Sequence, residues 1–329
     1  MPRSLIPALM ILALALCSGT ASAFKPALLY DQVGKSDRSF NEAAFRGAER
    51  FKKESGLSYQ EFTPTNESQY AQAMQRFAAR GYDPIIVVGF SYASVLEQIA
   101  PRFPDTRFVI VDMAVDQPNV QSVVFREHEG SFLVGMIAAM KTKTGKIGFV
   151  GGMDIPLIRK FALGYKEGAQ YVNKDIRIFE NMTGNTPAAW GDPIKAGELA
   201  RSQFDRGADV IYQAAGSSGL GVLQAAADLH RFSIGTDANQ NYMHPGSVLT
   251  SMVKRVDLAV FEALRDAGNG TWKPGTRLLG LAEGGVDYSL DQYNESLITP
   301  EMRARVDRAK ADIIAGRIKV TNYFEIMDQ

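Results

Sequence analysis

Short apolar runs rich in β-branched residues alternate with amphipathic stretches along most of this chain, and that alternation limits the possible folds more than any single motif. The apolar runs are Ala27 to Asp31, Ile85 to Phe90, Phe108 to Asp112, Ile147 to Gly151, Val210 to Ala214 and Ser233 to Asp237. Helical patterns between them include Asn41 to Glu54, Glu67 to Arg80, Leu157 to Val172, Ile194 to Phe204 and Gly219 to Leu229. Strands that are apolar at nearly every position are buried on both faces, so the chain predicts an α/β fold of largely parallel sheets with helices on both faces. The first set ends near Asp112, a segment from Val120 to Met140 leads on, and a second set opens at Lys146 with Ile-Gly-Phe-Val-Gly-Gly. We therefore expect two similar lobes rather than one continuous sheet. Val248 to Val256, a helix at Leu258 to Ala267 and a strand at Leu278 to Ala282 return the chain to the first lobe and back. A hinge of three segments results, which lets the lobes close on a ligand. The expected boundaries are 24–123 with 255–276 for the N-terminal lobe and 124–254 with 277–329 for the C-terminal lobe.

Residues 1–23 read as a secretory leader: Arg3 near the start, an apolar run from Leu5 to Leu16, and Ala21-Ser22-Ala23 as a small-residue cleavage site. The only cysteine, Cys17, falls inside that leader, so the chain expected after cleavage has neither thiol nor disulfide. Leu16 stands where a lipidated cysteine needs a small residue, which argues against a lipid anchor. The expectation is a periplasmic protein of about 306 residues beginning at Phe24, enough for two α/β lobes. The 36 basic and 36 acidic residues balance, and no run of like charges stands out. Nucleic acid and anionic membrane surfaces are therefore not expected partners.

Enzymatic signals are weak. His128, His230 and His244 are scattered and cysteine ligands are missing, so no metal and no cofactor is implied. Gly216-Ser217-Ser218-Gly219-Leu220-Gly221 follows a strand and opens a helix, but it lacks the Lys-Ser/Thr of a phosphate loop and the glycine order of a dinucleotide fingerprint. It fits better as a tight turn that brings backbone N–H groups of Gly216 and Ser217 near a neutral ligand. What remains is a set of polar and aromatic residues at strand ends, where open α/β sheets bind small molecules. Ser39-Phe40-Asn41-Glu42 puts a ring and an amide at a helix start, with Ser39 as N-cap and Glu42 as its capping-box partner. Asp31, Asp112 and Asp237 each terminate an expected strand. One such aspartate reads as a turn former; at equivalent places in a cleft, the set can accept hydrogen bonds from hydroxyl and N–H donors and repel phosphate. Lys254 falls at an expected crossover, free for solvent or paired with Asp237. Trp190, just before Asp192-Pro193, and Tyr212, in the strand leading to the glycine turn, are rivals for a second aromatic wall facing Phe40; packing roles are open for both.

Ser39-Phe40-Asn41, Val88-Gly89-Phe90, Val111-Asp112, Ala214-Ala215-Gly216, Ile234 to Gln240 and Thr250 to Arg255 stand in the same order as in the basic membrane protein family, which the chain resembles over nearly all of its length after the leader. These are substrate-binding proteins of ABC importers, including the purine nucleoside receptor type. The resemblance implies a two-lobed type I periplasmic-binding fold that closes around a purine nucleoside or similar riboside and delivers it to an inner-membrane permease, without catalysis and as a monomer. It also implies that Phe40 stacks on the base, with Asp31, Asp112 and Asp237 as the family's acids and Lys254 as its lysine. Asp112 and Asn41 would read the base edge, and Asp237 and Lys254 would hold the ribose. Phe90 falls in a matching motif. The sequence departs from the family where Trp190 replaces a frequent phenylalanine and Ser217 a common glycine, so the pocket width differs and another ligand class, a sugar or a flavin, stays open. A sensor role and a nucleoside hydrolase are the other readings.

Overall fold

A computed structural model describes residues 24–327. The chain runs through β1 (Ala27–Leu29), α1 (Phe40–Ser55), β2 (Gln60–Phe62), α2 (Ser68–Ala79), β3 (Ile85–Val88), α3 (Ala93–Ile99), β4 (Phe108–Val111) and β5 (Val120–Phe125). It continues with α4 (Glu127–Lys141), β6 (Lys146–Met153), α5 (Pro156–Val172), β7 (Arg177–Gly184), α6 (Pro193–Asp205), β8 (Val210–Ala214), α7 (Gly219–Asp228), β9 (Phe232–Asp237) and β10 (Val248–Lys254). The last elements are α8 (Val256–Gly268), β11 (Gly275–Leu279), β12 (Val286–Tyr288) and α9 (Pro300–Ile314).

Two six-stranded sheets form, in the orders β2-β1-β3-β4-β5-β11 and β7-β6-β8-β9-β10-β12. The pairings within them are parallel except β10 with β12. Strands such as Ile85–Val88 and Phe108–Val111 are apolar and buried at every position because helices cover both faces. One apolar cluster packs α2 and α3 on the first sheet, another packs α6 and α7 on the second, and a third runs through both halves. The first five strands of the two sheets repeat one another, so β4 in the first corresponds to β9 in the second; the sixth differ, β11 running parallel to β5 and β12 antiparallel to β10. Asp112, just after β4, and Asp237, at the end of β9, are thus equivalent, and both hold positive φ angles, 75° and 64°.

The described chain passes between the sheets three times: from β5 into α4, from β10 into α8, and from β11 to β12. The Val120 to Met140 segment divides at the first passage. Its strand joins the first sheet, while its helix packs on α5 of the second so closely that a Cβ on Gly164 would sit 2.3 Å from His128 O, and one on Gly168 1.9 Å from Phe132 O. Glycine is what permits that helix crossing. The strand expected at Leu278 to Ala282 begins earlier, at Gly275, because its register pairs Gly275 with Gln121 and Leu279 with Phe125.

Candidate functional site

The carboxyl ends of the two sheets face each other across a cleft of about 760 Å³, including its mouth. On the first side, the start of α1 is held by Asp37, which is 2% exposed. Its Oδ1 accepts the backbone N–H groups of Ser39 (2.9 Å) and Glu42 (3.0 Å), and its Oδ2 accepts Asn41 N (2.9 Å) and Asn41 Nδ2 (3.0 Å). This corrects the expected capping box. Asp37, placed outside the helix with two acceptor oxygens, satisfies the free N–H groups that Ser39 was expected to reach. Glu42 instead pairs with Arg46. Released from capping, Ser39 turns across the cleft and its Oγ donates to Asp237 Oδ2 at 2.6 Å. Asn41 also donates to Asp31 Oδ1 at 2.9 Å. Both amide hydrogens of Asn41 are thereby engaged, and in this state it orients Asp31 instead of offering a free donor.

Phe40, Phe90, Trp190, Asp31, Asn41, Asp112, Gly216, Asp237 and Lys254 all line the cleft. Trp190 meets Phe90 edge to face, ring centres 6.4 Å apart, while the Phe40 ring has the Lys254 ammonium 4.9 Å from its centre. Gly216 holds a left-handed φ of 58°, which lets the chain turn sharply out of β8. Two expected residues are placed elsewhere. Tyr212 is fully buried within the second lobe, edge to face with Phe149 and tilted against Tyr165, with its hydroxyl 3.3 Å from Ser131 Oγ. Tyr212 and Ala214 share a face of β8, but Tyr212 lies two residues short of the strand's carboxyl end and stays in the core, while Ala214, at that end, reaches the cleft. Ser217 Oγ bonds Trp190 O at 2.8 Å and fixes the tryptophan from behind.

Lys254, 2% exposed, does not take Asp237 as its hydrogen-bond partner. Its Nζ lies 2.6 Å from Asp112 Oδ2 and 3.3 Å from Glu127 Oε1. Glu127 Oε2 pairs in turn with Lys160 Nζ at 2.5 Å, and Lys160 donates to Phe125 O at 3.0 Å. The end of β10 emerges beside the start of α4, which puts Glu127 and Asp112 nearer than Asp237. Asp112 and Phe125 lie on the side of the first sheet, at the ends of β4 and β5, and Lys254, Glu127 and Lys160 on the side of the second, on β10, α4 and α5, so the ion network straddles the hinge. Asp112 Oδ1 is buried with no partner. Burial opposes the charge on Lys254, but Asp112, Glu127 and Asp237 overcome it and hold the ammonium above its ordinary range. Burial also opposes Glu127, and Lys160 and Lys254 bring it below the usual value. Asp31 is pushed up to about 6 by burial and the neighbouring Asp37. Asp237 is likewise pushed up to about 6 by burial, which Lys254 and the Ser39 hydroxyl only partly offset.

The carboxyl groups of Asp31, Asp37, Asp112, Glu127 and Asp237 outnumber the ammonium groups of Lys254 and Lys160. Such a cleft accepts hydrogen bonds and disfavours anions. Sequence reasoning missed Asp37, Glu127, Lys160 and Gln32, whose buried Nε2 has no partner at the cleft wall. Asp37, two residues before Ser39, had a local signal as an Asx-type cap. Glu127 and Lys160 had none, because their partners are distant in sequence.

Two sheets that face one another across an aromatic and acidic cleft, joined by three passages, define a small-molecule-binding protein of the type I periplasmic fold. Residues 25–322 match the family model described as ABC transporter substrate-binding protein PnrA-like. The chain belongs to this family, the basic membrane protein family of ABC-transporter substrate-binding proteins. It is 34% identical over 319 residues to the ABC transporter nucleoside-binding protein BmpA of Lactococcus lactis, covering 90% of this chain and 88% of that one. It is 35% identical over 278 residues to an uncharacterized lipoprotein of Pyrococcus horikoshii, covering 81% and 69%. A crystal structure of an ABC transporter solute-binding protein from Aeropyrum pernix K1 superimposes with a TM-score of 0.85 at 30% identity, covering 93% and 96%. Because a relative of this similarity is named a lipoprotein, the family gives no support to the expectation of an unanchored chain. Cys17, Ala23 and the rest of the expected leader lie outside the described residues. Among the described residues no helix is long and apolar enough to cross a membrane.

Proposed function

We propose that this protein captures a purine nucleoside or a closely similar riboside in the periplasm, without turning it over, and hands it to an ABC permease. The observation that carries the reading is the pairing of an aromatic ring at the cleft wall, Phe40, with carboxylate acceptors at the ends of three strands, above all Asp112 Oδ1, which has no partner. A nucleoside supplies both complements: a planar base for the ring and sugar hydroxyl and base N–H donors for the carboxylates. A phosphorylated ligand would meet an excess of acids. The name of the Lactococcus relative, a nucleoside-binding protein, agrees with this chemistry.

The test is a thermal-shift titration of refolded, ligand-free protein with adenosine, guanosine, inosine, a pyrimidine nucleoside, ribose and riboflavin. A saturable rise in melting temperature with the purine nucleosides is the expected result. A rise with ribose or riboflavin alone would replace the ligand class. Phe40→Ala is expected to weaken nucleoside binding by about 1–3 kcal/mol, the usual worth of base stacking, as read by calorimetry. An unchanged Kd would remove the ring from the site.

Affinity should also depend on pH with a definite sign. Asp31 and Asp237 sit at about 6 in the free protein, and they accept hydrogen bonds from a ligand when ionised. Below that value the free protein holds protons that binding must expel, so affinity falls as the pH drops from 7 to 5 and is level above about 7. Each group contributes up to about tenfold per pH unit below its transition. Affinity that stays constant between pH 5 and 8 would mean that neither carboxylate accepts from the ligand.

A further inference from the structure

Gln240 lies outside the cleft lining, is completely buried, and makes the direct amide link between the lobes. Its Nε2 donates to Arg38 O across the gap at 2.9 Å. Its Oε1 accepts from Gln213 Nε2 at 2.9 Å and from Thr236 N at 3.0 Å, and its own N–H donates to Ser251 Oγ at 3.0 Å. One residue is thus anchored to β8, β9 and β10 of the second lobe and reaches the first lobe through a single bond. The acceptor is well chosen: Arg38 holds a left-handed φ of 58° two residues before Phe40, in the loop that carries the aromatic ring. Beside it, Ser39 Oγ bonds Asp237 Oδ2 at 2.6 Å across the same gap, with Thr236 O at 3.2 Å.

We propose that Gln240 is a positioning residue that, with the Ser39–Asp237 bond, clasps the lobes shut and seats the Phe40 loop on the second lobe before any ligand is bound. None of these bonds involves the ligand's own atoms, so the clasp works whatever the ligand is. Buried amide donors and carbonyls are costly to leave unpaired, and opening the cleft hands Nε2 and Arg38 O to water instead of orphaning them. The clasp therefore favours closure modestly, leaving the cleft able to open. Closure in advance raises apparent affinity in proportion to the closed fraction.

Gln240→Glu separates the two halves of the residue's role. The carboxylate keeps an oxygen for Gln213 Nε2 and Thr236 N, but it loses the donor and sets a second oxygen against Arg38 O. Because the only cysteine is Cys17, in the leader, cysteines introduced at the exposed positions Lys53 on α1 and Glu198 on α6 would be the labelling sites in a chain starting at Phe24. Distances between spin labels on them report lobe separation in the refolded, ligand-free protein. We expect a closed population in the wild type whose ratio to the open one falls about tenfold in Gln240→Glu and about fivefold in Ser39→Ala, at the scale of one interlobe hydrogen bond. Ser39→Ala leaves the core of the second lobe untouched, so it decides the matter if Gln240→Glu folds poorly. The proposal is overturned if the ligand-free wild type is wholly open, or if Ser39→Ala leaves its distance distribution unchanged. It is also overturned if a folded Gln240→Glu protein loses thermal stability but keeps the wild-type distances, since Gln240 would then only brace its own lobe.

Discussion

Replacing Lys254 with methionine is expected to destabilise the ligand-free protein by about 3–5 kcal/mol, the range found when one partner of a buried ion pair is removed. The side chain is 2% exposed and its ammonium lies 2.6 Å from Asp112 and 3.3 Å from Glu127. Methionine matches the length of the stem but leaves both carboxyls without their shared cation in a place water reaches poorly. Glu127 keeps Lys160; Asp112 keeps nothing, since its other oxygen is already without a partner. Burial already pushes the Asp112 carboxyl up, and without the Lys254 ammonium to oppose it the acid would be held higher still, while the hinge would lose its tie between the end of β4 and the start of α4. Denaturant unfolding at pH 7.5 measures the loss. Adding Asp112→Asn to Lys254→Met should restore part of it, because the orphaned charge is gone. If Lys254→Met unfolds at the wild-type denaturant concentration, the network contributes nothing to the ligand-free state and Lys254 belongs to the ligand alone.

That network also marks the limit of what the sequence could convey. The lobes were legible because fully buried parallel strands must be apolar throughout, and Ile85–Val88 or Phe108–Val111 can hardly be read otherwise. Edge strands escaped: Gln60–Phe62 and Arg177–Gly184 carry polar residues because one side of each faces solvent, which erases the apolar signal. Helix Pro300–Ile314 is mostly polar for a similar reason, burying only a narrow stripe that includes Met302, Val306 and Ala309. In the site, residues at strand ends were found because topology alone sends Asp31, Asp112 and Asp237 to the cleft. Depth along a strand was not so readable. Tyr212 and Ala214 point to the same face of β8, two residues apart, and only where the strand ends decides that Ala214 meets the cleft while Tyr212 stops short in the core. The partner of Lys254 was misjudged for a third reason. Asp237 and Asp112 occupy equivalent ends of β9 and β4, and choosing between them requires knowing how the lobes are set about the hinge.

The same equivalence makes Asp237 the place where stability and binding should move in opposite directions. Asp237→Asn is expected to raise the stability of the ligand-free protein by about 1–2 kcal/mol at pH 7.5, while lowering affinity for the proposed nucleoside by about 1.5–3 kcal/mol, the worth of a hydrogen bond to a charged group. The residue holds a φ of 64°, a conformation asparagine adopts at least as readily as aspartate, so the backbone loses nothing. Asparagine also keeps an oxygen for the Ser39 hydroxyl. What changes is the charge. Burial pushes the Asp237 carboxyl up to about 6, so its folded value lies above its unfolded one. A raised carboxyl adds stability that is fully present at low pH and is lost as the pH rises through about 6; at pH 7.5 the buried anion is a net cost. Removing it should therefore help most at neutral pH and least at pH 5, and the two melting curves should converge as the pH falls. For the ligand the anion is the better acceptor, and the amide introduced by Asp237→Asn would turn a charge-assisted bond into a neutral one. A variant that is less stable at pH 7.5 yet binds nucleosides like the wild type would make Asp237 a structural partner of Ser39 and nothing more. A variant that is more stable and binds poorly would show that the cleft keeps a destabilising charge for the sake of its ligand.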